Sequence, residues 1–404
     1  MVGPYGVRLS GPLAGFVEGF VAELGRQGYT ALSMCEQVRL VGHLSGWMAA
    51  QGVEPAALTG EAVDEFCQVR RAQGRRNHLT PQGLAPILEF LRSQGVAPQE
   101  RERVADGPGD ELLGRFRSCL LAERGLGLAT ADGYVYLVRP FVLNRLGSSD
   151  MDAVPLRLSA QDVMGFLLEQ ARATTPRSLQ SRASALRVFL RFMHAEGLTS
   201  TPLAGAVPKV ACRQSRLPRA LPPTQVAALL GSCNTHTVDG LRDLAILTLL
   251  SRMGLRAGEV AALSLDDIDW RAGELTVHGK GPRVERLPLP VDVGETVSDY
   301  LRRARPAGAL DRGVFIRVKA PHRSLTPTGV TAVVYAASRR AGLDPVGAHR
   351  LRHCAATAML AAGAPLEEIG QVLCHRRAGT TAIYAGVDMT ALAALVVPWP
   401  AGAR

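Results

Sequence analysis

One apolar rhythm occurs twice in the first two hundred residues. In the first hundred, GFVEGFVAELGRQGY, QVRLVGHLSGWM and GLAPILEFLRSQG place apolar residues at helical intervals, and the rhythm returns between about 110 and 198. Leu24 and Gly28 match Leu121 and Gly125 at an offset of 97, and Phe66 matches Phe166 at an offset of 100. Leu84, Leu88, Phe90 and Gly95 match Leu186, Leu190, Phe192 and Gly197 at an offset of 102. An offset that grows slowly while the order is kept is the mark that small loop insertions leave on a duplicated helical unit. The alternative, chance likeness between amphipathic helices, explains the period but not the order. Two related helical domains are therefore expected, over residues 1–105 and 106–204.

The next segment differs in kind. From Gly197 to Val238 there is no Asp or Glu, while Lys209, Arg213, Arg216 and Arg219 stand among Pro202, Pro208, Pro218, Pro222 and Pro223. Proline stiffens a chain and removes backbone donors, so residues 205–222 read as a basic, semi-rigid linker. The helix before it, SLQSRASALRVFLRFMHAEG, keeps Leu186, Phe189, Leu190 and Met193 for a core and turns Arg187, Arg191 and His194 to another face. Arg177 and Arg182 lie earlier in the same basic segment. A solvated basic face is the plain reading of such a pattern. The linker and a net charge of +10 favour a polyanion across it, with Arg177, Arg182, Arg187, Arg191, Lys209, Arg213 and Arg216 as candidate contacts.

Residues 223–404 form the third part. PPTQVAALLGSC reads as a helix, GLRDLAILTLLSRMG as a buried one, and ELTVH and RVERLPL as strands of a hairpin whose GKGP turn carries Lys280 at its tip. The stretch from Gly347 to Asp388 concentrates chemistry. His349 and Arg352, three residues apart on a helix, face one point. A second helix, PLEEIGQVLCH, ends at His375, and Tyr384 stands nine positions later. His349 and His353 have the spacing of a metal pair, but Arg-Leu-Arg stands between them, and cations beside a metal are unfavourable, so no metal and no cofactor is expected.

The seven cysteines are scattered and never form C-x-x-C, which argues against a disulfide framework or a zinc module. No segment has the apolar length of a membrane span or the form of a signal peptide, so a reducing, cytoplasmic location away from membranes is expected.

HRLRH at 349–353, LCH at 373–375 and TTAIY at 380–384 resemble the H-x-L-R-H, L-G-H and T-T-x-x-Y signatures of the tyrosine recombinase, or phage-integrase, family. Upstream, GLRAGEVAAL at 254–263 is similar to that family's first-arginine motif, and VHGKGPRVERLPL at 277–289 to its lysine hairpin. The resemblance, which covers roughly residues 110–390, implies six catalytic positions: Arg256, Lys280, His349, Arg352, His375 and Tyr384, with Glu259 in support. One short motif matches by chance, but several in order do not. Departures are Cys374, where the family usually has glycine, and Pro282-Arg283 in the lysine turn. Cys374 is expected to be able to shift the backbone that aims His375.

The implied fold is mainly α with a small β-sheet: SAM-like helical core-binding bundles and an α+β catalytic domain, closing as a C-shaped clamp on DNA. The implied activity is site-specific recombination or integration by a Xer-like enzyme of a mobile element or of chromosome maintenance. Tyr384 would form a 3′-phosphotyrosyl bond, without metal or ATP. Implied partners are double-stranded DNA with inverted-repeat half-sites, further copies in a tetrameric synapse, and companion recombinases. Two rivals stay open, an inactive accessory relative and a type IB topoisomerase; the integrase layout with its basic linker argues against the latter. Residues 1–105 lie outside the resemblance and read as a second grip on flanking DNA or as a protein-contact module. The apolar stripe of Leu392, Leu395 and Val396 docks on a neighbour or on its own domain.

Overall fold

A computed structural model of the chain describes residues 4–7, 9–74, 80–99, 107–146, 156–211, 220–279 and 284–374. The chain divides into two compact units, Met1–Pro98 together with Arg216–Arg404, and Gln99–Ser215.

The first four helices are α1 (Val17–Arg26), α2 (Ala31–Gln51), α3 (Gly60–Ala72) and α4 (Pro81–Ser93). Thr30 and Thr59 start α2 and α3 by accepting hydrogen bonds from the Ser33 and Ala62 amides, which satisfies donors that a helix start leaves open. Phe20, Leu24, Leu44, Met48, Phe66, Leu84 and Ile87 fill a core of their own.

The Gln99–Ser215 unit repeats the order with α5 (Pro108–Ala122), α6 (Leu128–Arg145), α7 (Ala160–Ala173) and α8 (Pro176–Ala195). Ser159 opens α7 with a capping box closed by Asp162. Rings of Phe116 and Phe189 meet edge to face at 5.1 Å, and those of Phe141 and Phe166 at 5.2 Å, in the core.

Matched positions behave alike in the two bundles. Phe66 and Phe166, Leu84 and Leu186, Leu88 and Leu190, and Phe90 and Phe192 are all buried. Gly95 and Gly197 end α4 and α8 at φ +70° and +69°. One pairing is off by a residue. Leu24 is fully buried, and its counterpart in the second core is Leu120 rather than Leu121, which is only partly buried. One extra residue before Gly125 absorbs the slip, because the helix face must keep its register while the terminal turn can lengthen.

The remaining chain forms α9 (Pro223–Gly231), α10 (Val238–Thr248), α11 (Ala257–Ala262), β1 (Ile268–Asp269), β2 (Glu274–His278), β3 (Val284–Pro288), α12 (Val291–Arg303), α13 (Pro327–Arg340), α14 (Ala348–Ala361) and α15 (Leu366–Val372). The apolar run expected as one helix is α10 continued by a π-helical turn, Leu249–Met253. Such a turn admits an extra residue and often sits at a functional site. β1, β2 and β3 pair antiparallel in that order, with Glu274 opposite Pro288 and His278 opposite Val284. Leu275 and Val277 alternate inward from β2. The fold is mainly helical with one small sheet, as the sequence implies. Lys280 and the Pro282-Arg283 turn lie outside the described residues, as do Arg213, Arg216, His375, Tyr384 and the Leu392–Val396 stripe. Among the described residues no helix is long and apolar enough to cross a membrane.

Candidate active site

The π turn ends at Gly254, whose φ of +66° suits glycine and reverses the chain into Leu255 and Arg256. Leu255 is buried and anchors the reversal. Arg256 is the N-cap of α11, extended at φ −77° and ψ 152°. Glu259, one turn on, accepts a 2.8 Å hydrogen bond from the Arg256 amide and binds the Arg256 guanidinium with its other oxygen. The motif thus ties its own arginine to the backbone that carries it.

Arg352 comes from the second turn of α14 and is only 2% exposed, against 40% for the Arg256 side chain. Its Nη1 donates to the Gly254 carbonyl at 2.7 Å, and its Nη2 donates to the Leu373 carbonyl. The same Nη1 stands 3.8 Å from the Glu259 carboxylate. A buried carboxylate therefore lies between two guanidinium groups, one sunk and held by main-chain carbonyls, the other reaching solvent. The Gly254 and Leu373 carbonyls were not foreseen from the sequence. The only hint was a glycine closing an apolar run immediately before Leu-Arg.

Arg256 is the more exposed of the two arginines. Lysine would keep the charge but lose the planar guanidinium that can reach Glu259 through Nη1 and still offer further donors to an anion. We expect Arg256→Lys to cleave DNA at least about tenfold more slowly, roughly 1.4 kcal/mol of barrier, in single-turnover assays on a nicked duplex. A near-normal rate would remove Arg256 from the reacting phosphate.

His349 lies in the first turn of α14, on the face it shares with Arg352. Its ring packs edge-on against His353 at 4.4 Å and 71°. Burial first, then the charges of His349 and Arg352, push the His353 pKa down to about 4. At neutral pH His353 is an uncharged wall. The folded state then binds fewer protons than the unfolded chain between about pH 6.5 and about 4, so stability is greatest above that window and falls as pH drops through it. Denaturant midpoints measured across the window should show the fall, and His353→Gln should flatten it.

At the end of α15, Cys374 has φ +50°, and its amide donates to Gln371 O at 2.9 Å. This is the left-handed turn that glycine closes without strain, so the cysteine takes the glycine route. His375, whose backbone Cys374 is expected to be able to shift, lies outside the described residues. Burial, reinforced by Glu259 and Glu285, pushes the Cys374 thiol pKa up, which keeps it neutral beside the arginines.

In the Gln99–Ser215 unit, α8 buries Leu186, Phe189, Leu190 and Met193 as the spacing implies. Its basic face is partly engaged. Arg187 donates to the Pro208 carbonyl at 2.6 Å, and the His194 ring lies 3.2 Å from the Thr199 carbonyl, so both tie the segment after α8 to the helix. Arg177, Arg191 and Lys209 are exposed. Arg182 has Nε and Nη1 buried with no hydrogen-bond partner among the described residues.

The profile described as the phage integrase family matches residues 219–391. The Sinorhizobium fredii protein y4rA, whose name assigns it to the integrases/recombinases, is 38% identical over 98% of this chain and 96% of its own length. The tyrosine recombinase XerD of Listeria innocua is 30% identical, covering 69% of this chain and 94% of the relative. Among solved structures, a lambda integrase tetramer bound to a Holliday junction shares the fold at a TM-score of 0.53 and 17% identity, covering 78% of this chain and 87% of that one. A carboxylate clasped between two motif arginines, on a chain alike to y4rA along nearly its whole length, leads to one conclusion: the protein belongs to the phage integrase family and is a site-specific tyrosine recombinase.

Proposed function

We propose that this recombinase cuts and rejoins DNA through a covalent 3′-phosphotyrosyl bond at Tyr384, with neither metal nor ATP. The observation that carries the reading is the double-arginine pocket, in which Arg256 and Arg352 converge on Glu259. Phosphodiesters resist attack because the nucleophile meets negative charge and the alkoxide leaves poorly. Arg256 binds nonbridging oxygens, and Arg352 adds its charge behind it, so charge building on the transition state is stabilised. Tyr384 passes its proton to His349 as its oxygen attacks phosphorus. Lys280 protonates the departing 5′-oxygen, and His375 hydrogen-bonds the scissile phosphate. The phosphoryl bond is kept on the enzyme, so rejoining is the same reaction reversed.

The substrate is double-stranded DNA with inverted-repeat half-sites, bound by the core-binding bundle at 106–204 and by the catalytic domain at 223–404, with the basic linker 205–222 as a further contact to phosphates. On the α8 face, the exposed Arg177 and Arg191 support a phosphate contact. Self-association into a tetramer on DNA follows the precedent of the lambda integrase structure, a tetramer bound to a Holliday junction. Companion recombinases and a role in moving elements belong to the same reading. So does a second grip on flanking DNA by residues 1–105.

The test is a duplex nicked beside the target site, which traps the cleaved state because the short 5′-end diffuses away. A denaturing gel should show protein carried on DNA, and mass spectrometry of the digested adduct should place the nucleotide on Tyr384. An adduct on another residue, or cleavage without an adduct, refutes the assignment.

A further inference from the structure

A second cationic feature lies away from the arginine pocket. The segment Arg317–Arg323, RVKAPHR, carries Arg317, Lys319, His322 and Arg323 and no acid. The Arg317 amide donates to the Arg323 carbonyl at 2.9 Å, and Ile316 bridges Ser324, so these side chains sit on one tight loop.

Within the same compact unit, that loop meets the N-terminal helices. The His322 amide donates to the Gln27 carbonyl at 3.0 Å. Gly28, at φ +84°, lies so close that a β-carbon there would fall 2.0 Å from the His322 ring. Arg323 pairs with Glu89 of α4, and Glu23 of α1 is near enough to favour its charged form. Tyr29 is partly buried, and its hydroxyl pKa is pushed up by burial against opposing fields from Arg317 and Arg323. Both members of the Arg323–Glu89 pair are about half exposed, at 52% and 46%. Such a pair is weak and is screened by salt.

We propose that the Arg317–Arg323 loop is a docking surface for this chain's own N-terminal module, held by Glu89 in place of a phosphate and by the His322–Gln27 contact, and released when a DNA backbone competes for the loop. The Glu89 carboxylate occupies a guanidinium, a group that binds phosphate equally well, and a polar contact of this kind between modules of one chain opens readily. Release couples DNA engagement to freeing residues 4–98, so the module is held until a duplex arrives. The competing phosphate rests on the reading of the protein as a DNA enzyme, whereas the docking contact does not.

Hydrogen exchange of the full-length protein tests both, with no cleavage step. The reporters are peptides holding the His322 amide and the Gln27–Tyr29 turn. Glu89→Lys and Arg323→Glu should each raise exchange there by about fivefold, as expected for an exposed pair turned repulsive, and the double swap should restore protection. A short non-specific duplex should raise exchange at Gln27–Tyr29 in the wild type, and added salt should do the same. Single variants that leave exchange unchanged, or a double swap that stays unprotected, overturn the docking contact. A duplex that leaves Gln27–Tyr29 protected while it binds the protein overturns the competition. Because the duplex has no target site, failure of strand cleavage elsewhere leaves these outcomes readable.

Discussion

Replacing Glu259 with glutamine should destabilise the protein by about 3–5 kcal/mol, the range found when one member of a buried ion pair is removed. Glu259 is only 6% exposed and stands between the guanidinium groups of Arg256 and Arg352. Glutamine keeps the shape but not the charge, so two cations face each other with no anion between them. Arg352 suffers most, since at 2% exposure it has no recourse to water. Urea denaturation would measure the loss. A second arm separates charge from packing: sulfate or phosphate should restore more stability to Glu259→Gln than to the wild type, because an anion can take the vacated role. Equal stabilisation of both proteins would mean that Glu259 is not the counter-ion of the arginine pair. Cleavage of a saturating nicked duplex should also fall at least about tenfold, since Arg256 loses the carboxylate that orients it.

Gly254→Ala should cost about 2–5 kcal/mol and reduce cleavage with it, combining a left-handed conformation that alanine resists with overpacking. A β-carbon there would lie 2.5 Å from the Leu373 side chain and 3.1 Å from the Ala355 β-carbon. Leu373 can turn away, but Ala355 cannot. The two carbonyls that hold Arg352 belong to Gly254 and Leu373, so the substitution pushes apart the very elements that position the guanidinium. The check is a urea midpoint together with a single-turnover cleavage rate. If stability drops while cleavage at saturating DNA is unchanged, the carbonyl cradle does not position Arg352 for the reaction.

The pairing of Arg256 with Glu259 was legible in the sequence because it is carried by side-chain types at a short, fixed spacing. GLRAGEV places an acid three residues after an arginine, and one turn of helix brings them together whatever surrounds them. HRLR does the same for His349 and Arg352. The paired bundles were legible for a related reason. Burial on a helix tracks period, so Phe66 and Phe166, or Leu84 and Leu186, identify themselves as core. The slip from Leu121 to Leu120 shows the limit, since a residue added in a terminal turn changes the alignment without changing the buried face.

Tertiary structure alone decided what each charged group does. That Arg352 is sunk and tied to main-chain carbonyls, while Arg256 reaches solvent, depends on residues almost a hundred positions apart meeting at Gly254. Arg187 and His194 read as a free basic face, yet the chain after α8 folds back and uses them. The contact of Arg323 with Glu89 joins segments 234 residues apart, which no local pattern encodes. Spacing determines which side chains can share a helical turn. Long-range packing determines which carbonyl or carboxylate is waiting there, and the function of a charge depends on that partner.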